Sequence, residues 1–99
     1  MFSDDIKDLP LPVVYSHSKK GVKPPYLAYI GAGQSQFKAD NTRYDFYNLY
    51  QLEYYFTKKD EGLEFLIEKR LLEKGYQFEK SEDIYLDDED VFLIYYQIV

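Results

Sequence analysis

The sequence predicts an α+β domain: a mostly antiparallel sheet of four to five strands, one main helix packed on one face, and a short N-terminal helix. Three observations predict it. The aromatic run from Phe46 to Thr57 holds no Gly or Pro and suits a long strand. From Leu63 to Lys74 the apolar residues change to helical spacing. Short apolar runs bounded by turn formers lie on either side of this pair. The 99 residues suffice for one domain, 1–99, with a single modest core.

Taken in order, Ser3 is placed to cap a short helix, Asp4 to Leu9, which Pro10 and Pro12 end. Val13 to Tyr15 is a short strand. His17 to Lys23 is a basic loop, and Pro24-Pro25 stiffens the entry to a strand from Tyr26 to Ile30. Gly31 to Gln36 is expected to be a flexible loop, and Ala39-Asp40-Asn41 a turn. In the central strand, Tyr50, Leu52, Tyr54 and Phe56 share the core face, because side chains alternate. Tyr47, Leu49 and Tyr55 lie opposite, with Gln51, Glu53 and Thr57.

Asp60 is the expected N-cap of the main helix, with Glu61 and Glu64 at the positive end of its dipole. Leu63, Leu66, Ile67 and Leu71 form the expected core stripe, and Gly75 suits a left-handed stop. Phe78 and Ile84 belong to short extended pieces, Tyr76 to Lys80 and Asp83 to Leu86, either separate or one bent strand. Asp87 to Glu89 turns into a last strand, Asp90 to Ile98. There Phe92, Ile94, Tyr96 and Ile98 face one way and Val91, Leu93, Tyr95 and Gln97 the other.

The net charge of −6 is placed unevenly. From Glu79 to Asp90 seven carboxylates stand against Lys80, and the other residues balance at eleven against eleven. An acidic chain disfavours direct nucleic-acid binding, since phosphates repel carboxylates. With no Cys and one His, thiolate and histidine metal clusters are excluded. No run approaches a membrane span or a signal peptide, so the expected site of synthesis is the cytoplasm.

Candidate chemistry is thin. Gly31-Ala32-Gly33 lacks the third Gly and the following helix of a phosphate loop. The acidic run lacks the spacing of a calcium loop, and Ser16-His17-Ser18 has no third partner for nucleophilic catalysis. No catalytic, cofactor or metal residue is expected, and the chain does not read as an enzyme. Apolar surface is more informative. Tyr47, Leu49 and Tyr55, with Leu93 and Tyr95, stand opposite the core face, and Phe65 and Leu72 share a helix side away from the stripe. Two explanations stay open: a second layer made by the N-terminal segment, or an interface between subunits.

An ordered set of residues carries a resemblance over about Val13 to Val99. Pro24-Pro25-Tyr26-Leu27-Ala28-Tyr29 precedes Ala39-Asp40-Asn41-Thr42-Arg43-Tyr44. Tyr50-Gln51-Leu52-Glu53-Tyr54-Tyr55-Phe56-Thr57-Lys58-Lys59-Asp60 follows. Glu64, Ile67-Glu68 and Leu71 then stand on the helix, before Asp83-Ile84-Tyr85-Leu86 and the aromatic last strand. In this order and spacing the chain resembles the tail-completion, or tail-terminator, proteins of long-tailed bacteriophages, of the head–tail joining kind.

That resemblance implies a structural subunit of the virion, built in the host cytoplasm. It forms a six-membered ring on the tail tube, stops tube growth, and joins tail to head connector. The implied partners are copies of itself, the tail tube protein and the head connector protein. No cofactor, membrane or specific nucleic-acid binding is implied, although genome DNA would pass through the ring. Candidate ring contacts are Tyr47, Leu49, Tyr55, Phe65, Leu72, Leu93 and Tyr95, with a monomer expected when dilute. The turn carrying Glu82, Asp83, Asp87, Asp88, Glu89 and Asp90 is either a solvated hairpin or a lumen or docking surface. Its repulsion of DNA would reach only about 8 Å at physiological salt. The alternative from another class is a small acidic DNA mimic or inhibitory binding protein. Such a mimic needs acids spread along a long face, whereas these cluster.

Overall fold

A computed structural model describes residues 2–15, 21–39 and 43–99, with only the backbone given for 33–39 and 43–48. The elements are α1 (Phe2–Ile6), β1 (Val13–Tyr15), β2 (Tyr26–Ala39), β3 (Arg43–Phe56), α2 (Glu61–Glu73), β4 (Phe78–Lys80), β5 (Ile84–Leu86) and β6 (Val91–Ile98). They make an α+β fold around a six-stranded sheet in the order β1-β2-β3-β6-β4, with β5 also on β6. Only β1 against β2 is parallel.

The central strand is longer than the sequence suggests, and so is β2. Gly31 to Gln36, expected as a loop, continues β2, with an irregular register between Gly31 and Gln34. A long partner strand supplies ladder hydrogen bonds that outweigh the weak strand preference of Gly. The expected turn residues Asp40, Asn41 and most of the basic loop lie outside the described residues. β1 reaches only Leu27–Tyr29 of β2, and β6 only Gln51–Phe56 of β3. Residues 31–39 and 43–50 therefore pair only with each other among the described residues. They form a two-stranded arm, which accounts for principal extents of 50 × 26 × 23 Å.

The even face of β3 is the core face. Leu52, Tyr54 and Phe56 are buried with Leu27, Ile94, Tyr96 and Ile98, and Tyr50 packs against them. α2 lays Ile67 and Leu71 on this face, and α1 adds Phe2 and Ile6. The N-terminal helix begins earlier than expected. Phe2 and Ile6, one turn apart, both bury, and the Phe2 ring stacks on Tyr50 at 4.5 Å. Ser3 consequently sits within the helix instead of capping it.

α2 keeps its expected ends. Asp60 accepts a hydrogen bond from Leu63 N at 3.0 Å. Gly75 takes φ +85°, which a β-carbon would disfavour, and Gly75 N and Tyr76 N close back on Leu72 and Leu71 carbonyls. Its roll differs from expectation. Leu66 is 44% exposed, while Glu64 is 3% exposed and takes a place on the buried side. The reason is electrostatic: Lys59 and Lys80 hold the Glu64 carboxylate on that side.

β4 and β5 share the free edge of β6, separated by 81–83. Ser81 bridges the break: its N–H donates to Tyr95 O, and Tyr95 N donates to Ser81 Oγ at 2.8 Å. The two pieces thus follow one edge as an interrupted strand.

Core placement separates the two sides of α2 energetically. Ile67→Ala should cost about 2–5 kcal/mol through lost burial and cavity formation. Phe65→Ala should stay within about 0.5 kcal/mol. Urea unfolding of both variants checks this, and equal losses would contradict the assigned roll of the helix.

Candidate functional site

The outer side of α2 carries the most apolar exposed surface. Phe65 is 62% exposed and Leu72 61%, and both stand on one side two turns apart, while Leu66 is exposed on another flank, roughly 100° round the helix from Phe65. Helical geometry forces this once Ile67 and Leu71 face the sheet. No other described element lies over these residues, and burying them would require another molecule.

The second sheet face is more closed than the sequence suggests. Tyr55 is 4% exposed and Leu93 2%, both buried with Tyr26 and Ala28. Val14, Val22, Ile84, Leu86, Val91 and Tyr95 pack around that cluster. Tyr26 and Tyr55 stack at 4.8 Å, so broad rings cover the small Ala28 without a further layer. Tyr55 and Leu93 belong to the interior of the chain itself and leave the candidate contact set. Leu49 and Tyr95 are half-buried, and the side chain of Tyr47 lies outside the described residues. The Tyr55 hydroxyl donates to Glu53 Oε1 at 2.8 Å, and burial together with that bond pushes its pKa up.

An ionic cluster fastens α2 to the sheet. Lys80 Nζ donates to Glu64 Oε1 at 2.9 Å and stands 2.8 Å from Glu68 Oε2. Lys59 Nζ lies 2.8 Å from Glu64 Oε2 and 3.1 Å from Asp83 Oδ2. The Tyr96 hydroxyl donates to Glu68 Oε2 at 2.9 Å. Glu64 thus has a cation at each oxygen, which is the condition for a carboxylate to be buried. This explains the roll of the helix: turning Leu66 inward would strip Glu64 of both lysines. Glu64 raises the pKa of Lys59 most, ahead of Asp83. Lys80 is also raised, although burial opposes its charge, because Glu68 and Glu64 outweigh it.

Beside this cluster a cleft of about 300 Å³ is lined by Pro25, Tyr54, Phe56, Thr57, Lys58, Lys59, Asp60 and Leu63. The Tyr54 hydroxyl is buried with no hydrogen-bond partner among the described residues. Burial, then the charges of Glu64 and Asp60, pushes its pKa up to about 12. It stays a protonated donor throughout the physiological range.

The acidic turn divides into separate roles. Asp83 is committed to Lys59, and Asp90 accepts from the Tyr85 hydroxyl at 2.6 Å while holding φ 55°. Glu82, Asp87, Asp88 and Glu89 stay exposed. Among the described residues no group of His, Cys, Asp or Glu is placed to hold a metal, and no helix is long and apolar enough to cross a membrane. His17 lies outside the described residues, and the Gly31-Ala32-Gly33 segment is strand.

Sequence reasoning finds Phe65 and Leu72 from helical spacing alone. It misses the Glu64 cluster, because Lys80 approaches from sixteen residues away and no local pattern encodes that contact. The spacing of Glu64 and Glu68 was the available signal: two carboxylates one turn apart invite a cation between them. Comparison with protein-family models, curated proteins and solved structures finds no match for the chain.

The Tyr54 and Tyr96 hydroxyls should respond oppositely to removal. Tyr54→Phe deletes an unpaired donor and should leave stability unchanged or raise it by about 1 kcal/mol. Tyr96→Phe deletes a bond to a carboxylate and should cost about 1–2 kcal/mol. The folded pKa of Tyr54 lies above its unfolded value near 10, so its contribution is intact below pH 10 and is lost as pH rises toward about 12. Denaturant unfolding against pH should therefore be flatter over that interval in Tyr54→Phe than in the parent. A steeper fall in the variant would reverse the assignment.

Proposed function

We propose that this chain is a structural subunit of a long-tailed bacteriophage, one that caps the end of the tail tube as a six-membered ring and helps join it to the head connector. The observation that carries the proposal is the uncovered apolar side of α2 that bears Phe65 and Leu72. An assembling subunit needs surface that water tolerates before assembly and that a neighbour buries after it. The ordered likeness to tail-completion proteins supplies the kind of assembly.

Phe65 and Leu72 remain at the centre of the contact once Tyr55 and Leu93 leave it. A standard interface takes about 800 Å² from each partner, so these two residues form an anchor within a wider surface. Such a contact is weak between two free subunits. Repetition around a tube end strengthens it, because each later contact forms within an assembly already begun. The subunit is then a monomer when dilute and a ring on the tail. The DNA-mimic alternative is disfavoured further by Asp83 and Asp90, which are engaged within the chain.

Phe65→Ser combined with Leu72→Ser should leave the fold stable within about 1 kcal/mol, since both residues are solvated in the subunit. It should abolish tail capping. Electron microscopy of phage made with this variant, or with the protein omitted, should show tails of uncontrolled length or finished tails apart from filled heads. Normal particles in both cases would overturn the proposal. A stable hexamer of the free protein at micromolar concentration would contradict the monomer-first order of assembly.

A further inference from the structure

We infer that the arm formed by residues 31–39 and 43–50 is an assembly element, which copies of this chain join edge to edge. The inference goes beyond the tail-cap proposal and stands on different residues.

A two-stranded hairpin is marginal in water without further strands or a covering layer. This one has nine or so residues per strand beyond the body, and among the described residues no third strand pairs with it. Apart from Tyr50, whose carbonyl accepts from Gln97 Nε2, both long edges therefore present N–H and C=O groups with no strand partner among the described residues. Proteins usually protect such edges with proline, charge, shortness or a break. The outer edges of the body are protected in those ways. β1 has three residues and follows Pro12. The β4 and β5 edge is interrupted at 81–83 and carries Glu79, Glu82 and Asp83. The arm has no proline. Lys38 is the one charged residue from Gly31 to Ala39, and Arg43 and Asp45 are those from Arg43 to Tyr50. Tyr44, Phe46, Tyr47 and Tyr50 add strong strand preference to the second strand. Long, unprotected and strand-favouring edges are suited to pairing.

The partner that fits is another copy. The two arm strands run antiparallel, so the β2 edge of one copy can meet the β3 edge of the next with the same antiparallel alternation. This is a head-to-tail contact, in which each copy uses two different edges, and rotation closes it into a ring. One edge of this length buries less than the 1,200 Å² or so at the low end of stable interfaces. A single pairing is then weak, and closure is what stabilises it. Six directly paired arms would make a wall of about twelve strands, between a filled eight-stranded barrel and an open sixteen-stranded channel. Paired arms thus describe the free assembly, and a duplex in the bore would have to part them.

Amide hydrogen exchange on the full chain, run with sedimentation from micromolar to millimolar concentration, tests this. Protection of arm amides should rise about tenfold or more as copies associate, while body amides stay constant. Two adjacent variants separate the edges, because neighbouring N–H groups on a strand point to opposite sides. Of Ser35→Pro and Gln36→Pro, one removes a donor facing β3 and should open the arm at every concentration. The other removes only an outward donor and should keep dilute protection but lose association. Arm protection independent of concentration overturns the inference, as does association that survives both variants. Protection gained only on adding a different protein, such as tail tube subunits, also overturns it. Concentration-dependent protection confined to α2 would overturn arm pairing while leaving the tail-cap proposal untouched, so the two fail separately.

Discussion

The ladder along β3 holds this molecule together. β2 pairs with it along one edge for most of its length, and β6 pairs along the other only from Gln51 to Phe56. The buried residues among those described gather around that doubly paired half. α1 and α2 cover one side of it, and the Tyr26, Ala28, Tyr55 and Leu93 cluster closes the other. In the singly paired half Tyr50 stacks on Phe2 of α1, and no third strand pairs with that half among the described residues. A single strand thus serves two purposes, and the change from one to the other falls where β6 ends.

Fixing α2 on that sheet is more an ionic than an apolar matter. Ile67 and Leu71 supply burial, but apolar contact alone would also accept Leu66 facing inward. The buried carboxylate of Glu64, held between Lys59 and Lys80, admits one orientation of the helix. Buried ion pairs add little net stability once desolvation is counted, and here the consequence is directional. By taking the buried position, Glu64 leaves Leu66 exposed on a flank of the helix separate from Phe65 and Leu72. One buried residue thus decides which side chains α2 presents outward.

Much of this was legible in the residues. The period-two run marked Leu52, Tyr54 and Phe56 as core, and Asp60 and Gly75 marked the ends of α2, because caps and alternation are local. Three features were not legible, each for a stated reason. Strand β2 runs through Gly31 and Gly33 because its partner is elsewhere in sequence, and pairing outweighs local preference. The burial of Tyr55 and Leu93 is hidden in the sequence because the stacking of Tyr26 on Tyr55 is a tertiary fact. Leu66 followed the helical stripe, and only the distant Lys80 reveals why Glu64 displaces it. Of the candidate contacts, Phe65 and Leu72 were visible since solvent exposure follows from spacing once one helix side is fixed.

The break at Ser81 has a consequence for how such a chain can change over time. Its backbone and hydroxyl together hold Tyr95, so β6 keeps its partners although the facing segment is one residue out of step. Slack of this kind absorbs an insertion or deletion between β4 and β5 before it reaches the core. The fold therefore carries an expansion joint beside its acidic turn, where descendants can lengthen or shorten the loop while the strands behind it keep their places.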